Sequence, residues 1–178
     1  LSAIPSSSSI LSATLELYAV AWSGVDMAVD GFALLRPVDL CGATWYESQP
    51  GASWEAAGAS GATDRRGVAE DRFATSGPSR WYALDVTSVA QEWVNGSLAN
   101  YGLVLKGGVA TTTGMFYFAS AQHANSALRP RLSITYEGEG ALPTQTASAT
   151  PTPSSTPEGG TDCTLWAHRR SDVDGRPP

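Results

Sequence analysis

The sequence predicts an all-β protein, a β-sandwich of jelly-roll type with one short helix, followed by a disordered C-terminal linker. Three observations carry that expectation. Short runs with strand composition, separated by Gly, Pro, Asn and Ser, occupy most of residues 1–138. The regular strand–helix alternation that signals a parallel sheet is missing from the pattern. Only Ser88 to Val94 reads as helix, and beyond Gly138 the composition turns to Pro, Thr and Ser.

The clearest strand is Ile10 to Val20. Leu11, Ala13, Leu15, Leu17 and Ala19 alternate with Ser12, Thr14, Glu16 and Tyr18, the period of a half-buried strand. After a turn at Ser23-Gly24, Met27 and Val29 share a face. Asp30-Gly31, with Phe32 and Leu34 beyond, predicts a bulge or tight hairpin. Arg36-Pro37 ends the run, because Pro removes a ladder donor. Val38 to Ser79 changes texture: Gly, Ala, Ser and charged residues surround isolated Trp45, Trp54 and Phe73. A loop of that length inside a compact domain is often functional, but the preferred reading of its tryptophans is structural, as buried anchors that pin it to the sandwich.

Trp81 to Val86 is a strand by composition. Thr87 is placed to cap a helix in which Val89 and Trp93 share a face, and Asn95-Gly96 stops it. A helix this short is not stable alone, so it is expected to plug one end of the sandwich. Leu103 and Leu105 point one way along the next strand, Thr111 to Gly114 is a turn, and Met115 to Ser120 is a strand containing Phe116 and Phe118. Gln122 to Ala127 is a polar loop, and Arg131 to Glu137 closes the domain. Residues 139–160 read as a Pro/Thr/Ser-rich linker and 161–178 as a tail with no assigned fold.

The formal charge is −6, and Lys106 is the sole lysine. Scattered acidic residues without a basic face argue against nucleic acid as a partner. No apolar run approaches a membrane span, so insertion is not expected. Cys41 and Cys163 are too few and too far apart for a disulfide framework or a zinc site.

A family resemblance rests on W-Y-x-L-D-V-T from Trp81, on the helix that runs from Val89 into W-V-N-G at Trp93 to Gly96, and on N-Y-G-L-x-L from Asn100. Ile4-Pro5 with Ile10 to Tyr18, Leu34 to Pro37, Ala43 to Trp45, Trp54, Thr63 to Arg65, Phe118 to Ser120 and Leu128 to Leu132 extend it. Over roughly residues 1–137 the chain resembles the DNRLRE domain, also described as the family 96 carbohydrate-binding module. The resemblance implies a non-catalytic, extracellular or cell-surface module that binds polysaccharide, with acidic, uronic-acid-containing polymers among the targets and other modules of the same chain as neighbours. The motif at Leu1 falls inside the family's domain, which implies first strands upstream and an unpaired sheet edge. One departure is Val38, where relatives often carry Trp.

Sugar rings stack on aromatic faces, and Arg forks suit carboxylates. The candidate carbohydrate-binding residues are therefore Trp45, Trp54, Arg65, Tyr82 and Tyr117, while Trp93 and Phe118 belong to the core. Asp26, Asp30, Asp64 and Asp71 could supply oxygens for a structural calcium, although no calcium-loop spacing occurs. Glu47, Glu55, Asp64, Glu70 and Asp71 are the carboxylates from which a glycosidase pair would come, but nothing in the sequence brings two of them together and a solvated loop is the better explanation. His123 and His168 lack a nucleophile motif beside them, and Asn95-Gly96-Ser97 is a chance sequon. The alternative to a binding module is a structural or adhesive spacer domain with no sugar ligand.

Overall fold

The computed structural model describes residues 1–108, 114–138, 145–149 and 166–168, the last two segments as backbone strands. Its elements are β1 (Ser9–Ser23), β2 (Ala28–Ala33), β3 (Glu47–Gln49), β4 (Ala52–Ser53), β5 (Asp71–Ala74), β6 (Arg80–Asp85), α1 (Thr87–Asn95), β7 (Leu103–Gly107), β8 (Met115–Phe118), β9 (Arg131–Glu137), β10 (Gln145–Ala149) and β11 (Trp166–His168), with a 3-10 turn at Ser126–Leu128. Among the described residues all strand pairs are antiparallel. A six-stranded sheet contains β1, β6, β8, β9, β10 and β11, a three-stranded sheet has the order β5-β2-β7, and β3-β4 is a separate hairpin. The all-β sandwich expected from the sequence is the observed architecture.

β1 is the spine. Leu15 pairs with Leu84 of β6 and Leu132 of β9, and Ala19 pairs with Arg80 of β6 and Phe118 of β8. Since each residue has one partner per edge, β8 and β9 lie end to end along the edge opposite β6. They act as one strand interrupted by residues 119–130. The sequence alternation of β1 is broken by a bulge between Ile10 and Ser12. Ile10 and Ala13 are buried, whereas Leu11, expected to face inward, is 52% exposed.

Between the sheets lies one core. Leu17, Ala19, Tyr82, Leu84, Phe116, Phe118, Ile134 and Tyr136 from the larger sheet meet Val29, Ala33 and Phe73 from the smaller. Phe73 stacks on Tyr82 at 5.0 Å, and Phe118 meets both rings edge-on at 6.2 Å. Phe116 and Phe118 are each 1% exposed, and burial of such a side chain contributes about 1.5–3 kcal/mol. Strand β2 runs straight through Asp30-Gly31, where a hairpin or bulge was expected. The glycine serves close packing instead: a Cβ there would stand 3.1 Å from Leu84 of the facing sheet.

Helix α1 plugs the sandwich with Val89, Ala90 and Val94, and Trp93 is half-buried against the same core. It ends at Gly96 in the left-handed conformation, as Asn95-Gly96 predicts. Thr87 does not cap it: the N-cap is Val86, and the helix start has no side-chain cap. The Thr87 hydroxyl instead accepts the Ala13 N–H at 2.9 Å. Gln91 adds a two-way clamp to the start of β1, accepting from the Ile10 N–H and donating to the Ser8 carbonyl.

Residues 38–79 contain more structure than a long loop. Phe73 belongs to β5, a strand of the smaller sheet, and the β3-β4 hairpin lies upstream of it. Within the segment expected to be linker, Gln145–Ala149 pairs with β9, and in the tail Trp166–His168 pairs with β8. Between Pro143 and Pro151 every residue keeps its N–H, so a short strand can form there against an open edge. The other residues of that segment, and Thr111 to Thr113 of the expected turn, lie outside the described residues. Among the described residues β6 pairs with β1 alone, and β5 and β7 with β2 alone.

Candidate functional site

The segment between Pro37 and Gly67 is held on the outer side of the smaller sheet, and it carries the exposed aromatic side chains Trp45 (40% exposed) and Tyr46 (50%). Its centre is Asp64. This carboxylate is fully buried and accepts the N–H groups of Glu55 (2.9 Å), Ala56 (3.1 Å) and Gly61 (3.0 Å), with the Arg36 guanidinium at 3.2 Å. Burial pushes the Asp64 carboxyl upward, but these donors outweigh it and hold it below the ordinary range. Glu55 answers in the reverse direction, accepting the Thr63 N–H at 2.6 Å and its hydroxyl at 2.8 Å. The Thr63 N–H and hydroxyl lower the Glu55 carboxyl in turn. Two carboxylates thus close the 55–64 loop upon itself.

The aromatic residues hang from this frame. The β3-β4 hairpin sets Trp54 against Tyr46, with the Trp54 N–H on the Tyr46 carbonyl at 2.9 Å. The Trp54 indole N–H donates to the Thr44 carbonyl, and the Thr44 hydroxyl accepts from the N–H groups of Tyr46 and Glu47. Trp54 is half-buried, with the Arg36 guanidinium 6.0 Å from its ring. The Trp45 ring lies over Gly58, which has φ 72°; a Cβ there would meet the ring at 2.5 Å, so only glycine admits this placement.

Against the 55–64 loop, two cations come close to one another. The Lys106 ammonium, from β7, donates to the Gly58 carbonyl at 2.8 Å and the Ser60 hydroxyl at 2.6 Å. Burial, then the neighbouring Arg65, lower its proton affinity. Arg65 lies 3.7 Å over the Phe32 ring and donates to the Arg66 carbonyl, while its buried Nε has no hydrogen-bond partner among the described residues. Arg66, farther along, pairs with Glu70 and Glu92.

Of the five residues proposed from sequence, Trp45, Trp54 and Arg65 belong to this segment, with Arg65 packed on Phe32 and Arg36 the cation beside Trp54. Tyr82 does not. It is 7% exposed in the aromatic core, and its hydroxyl accepts the Ser76 N–H and donates to the Gly77 carbonyl. Its ring therefore stacks on Phe73 and is not open to a sugar. Tyr117 stands on β8 in the larger sheet, half-buried, with its hydroxyl 3.6 Å from Met115 Sδ. Sequence reasoning passed over Tyr46, whose adjacency to Trp45 was available, and Lys106, whose reach across to Gly58 carried no local signature.

The four aspartates considered for calcium are each engaged by protein donors. Asp26 accepts from the Gly77 N–H, Asp30 from Arg72, and Asp71 from the Asp85 N–H, while Asp64 is the loop staple. Among the described residues no group of three or more His, Cys, Asp or Glu is placed to hold a metal ion. Glu70, Asp71 and Asp85 border a shallow hollow with Thr87 and Ser88. The Thr87 hydroxyl and N–H hold the Asp85 carboxyl below its usual range. No helix among the described residues is long and apolar enough to cross a membrane. Comparison with protein-family models, curated proteins and solved structures finds no match.

Proposed function

We propose that this chain is a non-catalytic carbohydrate-binding module of a secreted or cell-surface multimodular protein. Trp45, Tyr46 and Trp54 provide the stacking surface. One observation carries the reading: the exposed Trp45 and Tyr46 rings are held on a loop organised by a fully buried, four-donor carboxylate, Asp64. Rigid aromatic side chains presented to solvent on a pre-organised frame lose little freedom when a ligand arrives. The resemblance to the DNRLRE domain supports the same class, and the extracellular setting comes from that resemblance. Lys106 and the neighbouring Arg65, on the loop over which Trp45 lies, favour acidic polysaccharides among the ligands.

The test is a panel of neutral and acidic polysaccharides scored by gel retardation and tryptophan fluorescence. Retardation by one polymer class is expected, and its loss in Trp45→Ala and Trp54→Ala proteins with unchanged circular dichroism would assign the hairpin. A folded domain that passes every gel unretarded would overturn the reading and leave the spacer alternative.

A further inference from the structure

We propose that Asn95 is an N-glycosylation site, whose side-chain amide accepts an oligosaccharide from a lipid-linked diphosphate donor. As sequence alone, Asn95-Gly96-Ser97 is a chance match, because an asparagine two residues before a hydroxyl recurs freely. The fold supplies what the letters do not, exposure and an uncommitted amide. Helix α1 ends here: Gly96, at φ 78°, turns the chain out of the helix, and Asn95, Gly96 and Ser97 are all exposed. Nothing lies within 4 Å of the position that a Gly96 Cβ would take, so the turn stands clear of the domain. A bulky hydrophilic group belongs on such a surface turn.

The amide is held in one orientation. Asn95 Oδ1 accepts the Ser97 N–H at 2.9 Å, which commits the carbonyl oxygen to the turn and leaves Nδ2 without a hydrogen-bond partner among the described residues. The same bond brings residue 97 back beside the carboxamide, so a transferase meets amide and hydroxyl together. The Ser97 hydroxyl reaches the Glu92 carbonyl only at 3.5 Å, too long to hold it. The chain carries its own comparison. Asn100 and Asn125, its other two asparagines, are exposed and close turns of the same kind on Gly102 and Ala127, at 3.1 and 3.0 Å. Neither of those residues has a hydroxyl, so Asn95 alone joins the turn to the hydroxyl. In the transfer a bond forms between Nδ2 and C1 of the first sugar, and the C1–O bond to the diphosphate breaks. One Nδ2 proton passes to a base of the transferase, and the lipid diphosphate departs. The site shares no residue with the aromatic hairpin or its Asp64 staple.

The proposal rests on the secreted or cell-surface reading, and the experiment separates the two. The full chain is produced behind a secretory leader in cells that N-glycosylate, so the compartment is supplied and the acceptor alone is tested. Expected is a slower band on denaturing gels that collapses on treatment with peptide N-glycosidase. In heavy-oxygen water that enzyme leaves a labelled carboxylate at position 95, which distinguishes glycan removal from earlier spontaneous deamidation of Asn-Gly. Asn95→Gln and Ser97→Ala should each abolish the slower band, and Ser97→Thr should keep it. Ser97→Ala retains the N–H that Asn95 Oδ1 accepts, so the turn survives where Asn95→Gln fails to fold. A folded, exported chain with unmodified Asn95 overturns the proposal, as does a glycan that persists in Ser97→Ala. Polysaccharide retardation is scored on the same material. An unglycosylated chain that one polymer class retards sinks the acceptor site and spares the binding module, and a glycosylated chain that no polymer retards does the reverse.

Discussion

The aromatic core and the aromatic hairpin use the same kind of side chain to opposite ends. Phe73, Tyr82, Phe116 and Phe118 lie inward because each occupies the inward parity of a strand, and they interlock at centroid distances of 5.0–6.4 Å. Trp45 and Tyr46 have no such parity to obey. They precede a hairpin whose two strands are only three and two residues long, and polar groups fix its place. The difference teaches where each region's cost of failure falls. Losing a core ring opens a cavity in the sandwich, whereas losing Asp64 releases a surface and leaves the sandwich's own ring contacts in place.

Removing parts from each side sharpens that contrast. Phe118→Ala is expected to cost about 3–5 kcal/mol in chemical denaturation, since its ring is buried among Phe73, Tyr82 and Phe116. Asp64→Ala should cost about 3 kcal/mol, leaving Arg36 and three N–H groups without their acceptor. Its signature is local: faster hydrogen exchange at Glu55, Ala56 and Gly61, with slower-exchanging core amides the least affected.

Acid acts on the same carboxylate. The folded state holds Asp64 below its ordinary value, so its contribution is full above about pH 4 and declines as pH falls through the folded value. Exchange at those three amides, corrected for intrinsic pH dependence, should therefore rise on acidification before the core opens. Tyr82→Phe removes two hydrogen bonds and should cost about 1–2 kcal/mol while leaving polysaccharide retardation unchanged. Trp45→Ala is the smallest in stability, about 1 kcal/mol or less, yet abolishes retardation if the hairpin is the site.

What could be read in the sequence followed from local pattern. Trp81 to Val86, the Asn95-Gly96 stop and the alternation of Arg131 to Glu137 all carry their information within a few residues, and each element is present. The bulge at Ile10/Ser12 was not readable, because it is defined by which β9 residues stand opposite. Strand β5 hid for a related reason: four residues with one buried side chain give no period. Asp64 was noticed only as one carboxylate among several. Its donors are main-chain N–H groups, which every residue but proline offers, so no side-chain motif announces the staple. The outer face of the larger sheet joins residues of β1, β6 and β9 that become neighbours only through register.

The end-to-end placement of β8 and β9 along β1 has a mechanical consequence. The first residue of β1, Ser9, is paired with the last of β9, Glu137, so chain entering at one and leaving at the other does so side by side. Tension applied through those two points loads the β1–β9 ladder from its end and opens its hydrogen bonds one after another. A ladder pulled from opposite ends would share the load across all bonds at once. Pulled in this way, the β1–β9 ladder opens from the end at which Gln91 also ties Ser8 and Ile10, while β1 keeps its pairing with β6.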